Sequence, residues 1–520
     1  QAFLWDLRYS LLNRAELLPA FVMSVRWSSS EQVQELYDLL DLWAPPTCVQ
    51  ALQLLDRRFM DPKVRAYAVH CLEDLPDDEL ALYMLQLCQQ LKFESHVDSA
   101  LSRFLLRRAL TKPRLIGHIY YWLLQSEVYN VDVSKRYVIL LQVYIRNCGS
   151  HRIEIGHQMF VMKRLESVAE AVVLGDSKDE RKRILKERLS EIVLPTTFKL
   201  PLSPHLNICG IDVNKCRVME SKKKPLWLTL KDADTGADIA LMLKVGDDLR
   251  QDALIMQLLR VMSDLWKKEG LDMQMMLYDC ISTGNERGLL QIVGNANTLG
   301  MCMMCICTKK SGSLSRKLNA AMKALGDFTV LTDWIKEQVD IDIENPALRP
   351  AEHEKRVQSF MISTAAYCVA SYVLGLGDRH NDNLMMTRNG HFFHIDFGHI
   401  LGNFKSKMGV KRERAPIVFT PAMKDVMRGE DQYESFIDLC CDVYNILREQ
   451  SVLLVSLFSL AIPCNLPELQ AEKDVLWIYD KLLVGADDET AAEHFKKVME
   501  LSLNTRGTRI NDAAHMLAHA

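Results

Sequence analysis

Residues 378–383, Asp-Arg-His-Asn-Asp-Asn, and residues 396–398, Asp-Phe-Gly, are polar clusters joined to apolar runs, and their types and spacing could do chemistry. Phosphoryl transfer from ATP needs a cation on the phosphates, two metal-ligating groups and a group that positions the attacking hydroxyl. The chain offers each of these. Lys244 ends an apolar strand and is followed by Gly246, which predicts a lone ammonium at a strand edge. Asn383 and Asp396 supply hard oxygens of the kind Mg²⁺ takes in preference to thiols. Asp378 and His380 are left for acid–base work, with His the group that titrates nearest neutrality. Taken singly, each has a plain alternative: a strand-end lysine is usually solvated, Asp-Phe-Gly alone is a turn, and Asn383 could cap one. In this order, behind an upstream lysine, they predict one phosphoryl-transfer site.

The elements that must position these residues are of two kinds. From Gln1 to about Val173, apolar residues recur at helical spacing between short breaks, as in QVQELYDLLDLW and DPKVRAYAVHCLEDL. Asp61 as N-cap, with Pro62 at the first helical position, opens one such helix. Helices that follow two at a time predict an α-solenoid over residues 1–173, though without a fixed repeat motif. Residues 174–194 read as a charged, helical linker. The Pro-punctuated LPTTFKLPLSPHLN then places a boundary near Leu194. Beyond it the pattern turns to hairpins: KPLWLTLKD with ADIALMLKVG, then MMLYDCIS with GLLQIVG, and a long helix, DLRQDALIMQLLRVMSDLWKKEG, between them. After Asn295 the chain is mostly helical again. The expected fold is multi-domain: an α-solenoid, then a bilobal α+β domain with a small antiparallel β lobe (195–293) and a large, mainly helical lobe (294–520). Its cleft is the natural ligand site.

Protein kinases carry His-Arg-Asp and then Asn before Asp-Phe-Gly, whereas Asp378-Arg379-His380 stands in the inverted order. That order resembles the phosphatidylinositol 3-kinase family, as do KKKPLWL, KVGDDLRQD, LYDCISTG, YVLGLGDRHNDN and HIDFGHILGNFKSKMGVKRER; residues 1–173 resemble its helical domain. The resemblance implies a lipid kinase using ATP and Mg²⁺. It implies that Ser221 and Lys222 form a phosphate-binding loop, a Lys-rich turn, and that Lys244 is the phosphate-binding lysine. Asp247, Asp252 and Tyr278 match the pocket beside that lysine. Val293 and the backbone of Gln291 match the hinge that hydrogen-bonds adenine; Gln291 stands where the family often has Glu. Asn383 and Asp396 match the metal ligands, and Asp378 and His380 the catalytic pair, His380 being favoured as the base.

NFKSKMGVKRER presents Lys405, Lys407, Lys411, Arg412 and Arg414 close after Asp-Phe-Gly. A bare charge run is usually a solvated face, but beside a phosphoryl-transfer site clustered Lys and Arg suit a polyanionic lipid headgroup. The loop resembles the family's class I pattern, which implies phosphatidylinositol 4,5-bisphosphate as substrate. SEVYNVDVSKRY and CISTG also look closer to class I. RAPIVFTPAM and FIDLCCDVYNILR look closer to class II, which would use phosphatidylinositol or its 4-phosphate, and the tail lacks the Trp many class I enzymes carry. Class I is favoured on the substrate loop. Rival readings are an inactive kinase-like scaffold and a protein kinase of the related large family.

The 520 residues are 48% hydrophobic and 25% charged with a net charge of −4, which suits a soluble protein of a few domains and gives no overall field toward nucleic acid. The fourteen Cys lack a disulfide-scaffold spacing and read as reduced cytosolic thiols, so a cytoplasmic protein is expected, and the resemblance implies peripheral recruitment to the cytosolic membrane face. The chain reads as a fragment of something longer, and a regulatory subunit and a small GTPase are implied as partners through domains outside it. No membrane-spanning helix is expected. The apolar stretch Val452 to Leu466 reads as a core helix ended by Pro463. Cys302, Cys305 and Cys307 read as buried thiols rather than a zinc site, lacking a nearby His and a second Cys pair. A weakly amphipathic C-terminal helix is expected from about Asn511.

Overall fold

The computed structural model describes residues 2–310, 328–403, 406–407, 410–411 and 415–505. By compactness the chain divides into two units, residues 1–254, 279–292 and 452–466 forming one and 255–278, 293–451 and 467–520 the other. Neither is a single run of sequence.

The first unit opens with helices from Ala2 to Val173, followed by the connector helix Lys178–Ser190. Helix Pro62–Cys71 meets Cys48–Leu54 and Ala100–Thr111, and Asp77–Gln90 meets His118–Glu127, so successive helices stack on one another as a solenoid does. Asp61 caps as the sequence predicts, its carboxylate accepting the Lys63 and Val64 N–H groups at 3.0 Å. The buried Arg65 ties the stack together: it pairs with Glu94 at 2.6 Å and donates to the carbonyls of Leu55, Phe59 and Gln90. A buried cation is tolerable only when its donors are satisfied in this way.

A seven-stranded antiparallel sheet follows. Its strands are β1 (Phe198–Lys199), β2 (Asn207–Ile211), β3 (Arg217–Val218), β4 (Leu226–Asp232), β5 (Asp238–Val245), β6 (Cys280–Gly284) and β7 (Arg287–Gln291), in the order β1-β2-β4-β5-β7-β6 with β3 on β4. The hairpins β4–β5 and β6–β7 are the predicted ones, but the second begins later than MMLYDCIS suggests. Tyr367 Oη takes the Met276 carbonyl at 2.7 Å and Arg260 the Tyr278 carbonyl at 3.0 Å, so those groups bond to side chains and not to a ladder. The tip of β6–β7 is bound to helix His151–Val173 of the solenoid, with Arg287 2.9 Å from both Glu166 and Glu170. Helix Ser451–Ala461 is buried in this same unit: Gln90 and Lys92 donate to the carbonyls of Leu460 and Pro463 at 2.7 Å. Leu454, Leu457 and Phe458 are fully buried, as a core helix requires, and the helix stops ahead of Pro463.

The second unit is built around helix Arg349–Leu374. The stretch Pro346–Leu374 is long and apolar enough to cross a membrane, which was not anticipated, but 83% of its most apolar window is buried within the protein. It also carries Arg356, paired with Glu352 at 2.9 Å and Asp342 at 3.0 Å, so it serves as a core helix here. A three-stranded sheet lies alongside: β8 (Ala296–Thr298), β9 (Leu384–Thr387) and β10 (Phe392–His394), in the order β10-β9-β8. Cys302 and Cys307 are buried in helix Leu299–Lys310, and burial raises the Cys302 thiol pKa. The expected C-terminal helix from Asn511 lies outside the described residues.

Several histidines are buried and held neutral. Burial lowers His118 to about 4, against the opposing effect of its 2.7 Å contact with the Pro201 carbonyl, and it lowers His151 and His394 as well. A histidine with a depressed folded pKa leaves the unfolded chain binding more protons, so stability is full above about pH 6.5 and is lost as pH falls from there toward the folded value. For His118 this is on the order of 3 kcal/mol in total. The urea midpoint is expected to drop between pH 7 and pH 5, and the drop to shrink in His118→Gln; an unchanged pH slope in that variant would refute the assignment.

Candidate functional site

The candidate residues fall in two sets, one in each unit. In the first unit, β5 lies between β4 and β7 and buries Leu241 and Leu243 on one face, leaving Lys244 on the other, opposite Gly288 of β7. Lys244 is near the strand's end, as expected, but its ammonium is not alone: it meets the Asp247 carboxylate at 3.0 Å, and its side chain is 19% exposed. Gly246 turns the chain at φ +82°, and the Glu286 carbonyl accepts from both Gly246 N–H (2.8 Å) and Asp247 N–H (3.0 Å). Ser221 and Lys222 lie exposed in the turn between β3 and β4, which the Lys224 N–H closes onto the Ser221 carbonyl at 3.2 Å. The lysine that joins this turn to the Lys244 strand is Lys223, which donates to the Gly246 carbonyl. It escaped the sequence reading, because three adjacent lysines look alike until the turn is built.

Asp252 is buried in the first turn of helix Arg250–Lys268. Its start is anchored by Arg250, which holds both Asp248 oxygens and donates to the Cys464 carbonyl at 3.0 Å. Burial pushes the Asp248 carboxyl up, yet the Arg250 contacts and the Arg250 N–H outweigh it, and its pKa is lowered overall. At the end of β7, Gln291 brackets Asp279: its N–H donates to the Asp279 carbonyl (2.8 Å), and its Oε1 accepts the Asp279 N–H (3.0 Å). A glutamate there could do the same through a carboxylate oxygen.

In the second unit, hairpin β9–β10 joins the two polar clusters. His394 pairs with Leu384, so Asn383 and Asp396 emerge at the same end of the hairpin, and the Ile395 N–H donates to the Asn383 carbonyl at 3.0 Å. Val293 precedes β8 and Tyr278 is buried, both in this unit. Asn383 staples the loop that carries Asp378 and His380. Its Oδ1 accepts the His380 N–H at 2.9 Å, and its Nδ2 donates to the Asp378 carbonyl at 2.5 Å. His380 Nδ1 accepts the Asp382 N–H at 3.3 Å, so a neutral ring carries its proton on Nε2. Asp378 and Asp396 both hold left-handed backbones, at φ +57° and +62°.

Arg379 had no predicted role, and it is the residue that binds the clusters to each other. Buried in the loop, its guanidinium donates to the carbonyls of Gly377 (2.8 Å), Ile395 (2.8 Å) and Asp396. One rigid fork therefore sets the Asp-Phe-Gly segment against the loop that carries Asp378 and His380.

A divalent cation suits this end of the hairpin. Asn383 Oδ1 uses one lone pair on His380 N–H and has a second, and the Asp396 carboxylate is exposed. A carboxylate with an amide oxygen is a hard donor set. A family model described as phosphatidylinositol 3- and 4-kinase matches residues 238–471, and one described as phosphoinositide 3-kinase family, accessory domain (PIK domain), matches residues 1–156. The chain is a PIK accessory domain followed by a phosphatidylinositol 3- and 4-kinase domain.

Curated relatives align with both domains. Phosphatidylinositol 3-kinase 2 of Dictyostelium discoideum is 41% identical over 98% of this chain and 27% of its own length. Phosphatidylinositol 3-kinases 1 and 3 of the same organism are 41% and 37% identical over 99% of the chain, covering 32% and 30% of their own lengths. The chain thus spans about a third or less of these relatives. In the kinase domain, the basic loop lies partly outside the described residues, which include neither Lys405 nor Arg412 nor Arg414. Lys407 and Lys411 fall on a two-stranded hairpin, β11 (Ser406–Lys407) with β12 (Val410–Lys411).

Proposed function

We propose that this chain is the catalytic part of a lipid kinase that transfers the γ-phosphoryl group of ATP to the 3-hydroxyl of a phosphoinositide, with phosphatidylinositol 4,5-bisphosphate as the preferred substrate. The observation that carries the reading is the joining of the Asp378–Asn383 loop to Asp396 through Arg379, which assembles hard oxygen ligands and an acid–base pair on one hairpin. The names of the relatives support it. On the family resemblance, Lys244, Ser221 and Lys222 are assigned to the phosphates, Asp247, Asp252 and Tyr278 to the nucleotide beside them, and the backbone at Gln291 and Val293 to adenine. Asn383 and Asp396 hold Mg²⁺, which when bound neutralises charge on the phosphates.

His380 or Asp378 takes the hydroxyl proton. For His380 to accept at Nε2, the ring proton must move to Nδ1 and the Asp382 contact must be given up. At 3.3 Å that contact is long, so the exchange costs little. Lys405, Lys407, Lys411, Arg412 and Arg414 hold the headgroup phosphates. The enzyme is cytoplasmic and acts in membrane signalling, recruited peripherally to the cytosolic membrane face, with a regulatory subunit and a small GTPase engaging parts of the protein beyond this chain.

The test is transfer of label from ATP, with Mg²⁺, to vesicles containing phosphatidylinositol, its 4-phosphate or its 4,5-bisphosphate. Product from the bisphosphate is expected, and the double variant Lys405→Ala, Lys407→Ala should lose activity on it at least about tenfold more than on phosphatidylinositol. Equal losses on both lipids would remove the headgroup role from these lysines. Product from the two less phosphorylated lipids alone would keep the chemistry and move the substrate to the class II pattern.

A further inference from the structure

Asp396 has a left-handed backbone, and the chain is held on both sides of it. The side before it is fixed from the catalytic loop, by Arg379 on the Ile395 carbonyl and by the Asn383 carbonyl on the Ile395 N–H. The side after it is fixed from far downstream. Glu468, beyond the 3-10 turn Ile462–Cys464, sets Oε1 2.7 Å from His399 Nδ1 and accepts the Ile400 N–H on Oε2 at 2.5 Å. The His399 carbonyl accepts the Gly377 N–H at 2.9 Å, one residue before Asp378. The Glu468 side chain is 14% exposed and that of His399 26%, so water competes little for these bonds. Between Asp396 and His399, Phe397 is fully buried and Gly398 has no side chain to add a hold of its own.

We infer that Glu468 is a positioning residue for the candidate metal ligand Asp396. Through His399 and Ile400 it holds the segment after Asp396 against the residue before Asp378, and so keeps the Asp396 carboxylate at the end of the hairpin where Asn383 emerges. This rests on the reading of Asn383 and Asp396 as ligands of a divalent cation.

Binding of Mn²⁺ together with a non-hydrolysable ATP analogue, followed by electron paramagnetic resonance on the full 520-residue chain, reads the role without turnover. Glu468→Ala is expected to weaken Mn²⁺ binding by about tenfold or more, in the range seen for groups that orient metal ligands. Glu468→Gln, which retains an oxygen for the Ile400 N–H, should recover most of it. Trp477→Phe is the control for general loosening: the Trp477 indole donates to the Val373 carbonyl at 3.1 Å and lies against Gly375 and Gly402, whereas Glu468 bonds to His399 and Ile400. It should lower the melting temperature and leave Mn²⁺ affinity within about twofold of the parent. If Glu468→Ala binds Mn²⁺ like the parent, or loses no more affinity than Trp477→Phe at a matched melting temperature, the positioning role is overturned while the ligand assignment stands. If the parent itself binds no Mn²⁺ with the nucleotide analogue, the ligand assignment is overturned and this role falls with it.

Discussion

Asp396→Asn is expected to fold like the parent and to transfer phosphate to phosphoinositide vesicles at least about 10³-fold more slowly, a loss of roughly 4 kcal/mol of transition-state stabilisation. Both parts follow from geometry. Position 396 holds φ +62°, and Asn, like Asp, tolerates the left-handed region, whereas Ala would add backbone strain to the loss of a ligand. The side chain is exposed and the Asp396 backbone carbonyl, not its carboxylate, is what Arg379 holds, so Asn keeps that bond. What the substitution removes is the negative charge that suits a divalent cation beside the phosphates. Asn383 is a poorer place for the same test. Its amide holds both His380 N–H and the Asp378 carbonyl, so Asn383→Ala would release the loop that carries them as well as remove a candidate ligand. Rate loss in Asp396→Asn at an unchanged melting temperature would assign the carboxylate to chemistry. A near-parental rate would remove it from the reaction and leave Asn383 without its proposed partner.

How far the sequence speaks to this site depends on whether an interaction is local. Asp61 followed by Pro62 is a local cap and is where it should be; the alternation of β4 and β5 is local too, and it places Lys244 on the face away from Leu241 and Leu243. Strands β1, β2 and β3 gave no comparable signal. Two of them are two residues long, β2 contains Gly210, and all are strands because β4 and its neighbours offer them ladder partners. The helix Ser451–Ala461 was legible as a core helix, but not whose core: Gln90 and Lys92, which hold it in the first unit, are some 370 positions away in the chain. The same holds at the candidate site. The candidate ligands Asn383 and Asp396 and the candidate pair Asp378 and His380 stand out by type and order. The residues that hold their segments, Arg379 and Glu468, act on backbone carbonyls and N–H groups, as Lys223 does at Gly246 in the first unit, and such groups carry no sequence signature.

Arg379→Ala should therefore be the most damaging substitution among residues that the reading of chemical types passes over. It strips the side-chain donors from the carbonyls of Gly377, where the bond is buried, and of Ile395 and Asp396, where it is part-buried. Leaving buried acceptors unsatisfied costs about 1–3 kcal/mol each. Even at the low end, the sum is a large share of the 5–15 kcal/mol that typically separates folded from unfolded chains. Arg379→Lys separates stability from geometry, since a single ammonium keeps the charge and some of the hydrogen bonding but lacks the planar fork that reaches both the loop and the Asp-Phe-Gly segment. We expect Arg379→Lys to recover much of the melting temperature lost in Arg379→Ala, yet to remain at least about 10²-fold below the parent in kcat, because misplacing ligand and base relative to one another by about 1 Å is enough for that loss. The KM for ATP should move much less, since the lysines proposed to hold phosphates lie on β5 and the turn before β4, and the carbonyls that Arg379 holds belong to other segments. If kcat and melting temperature recover together in the lysine variant, Arg379 acts through charge and stability alone. The alignment of the two clusters would then have to come from the Ile395 to Asn383 hydrogen bond of the hairpin itself.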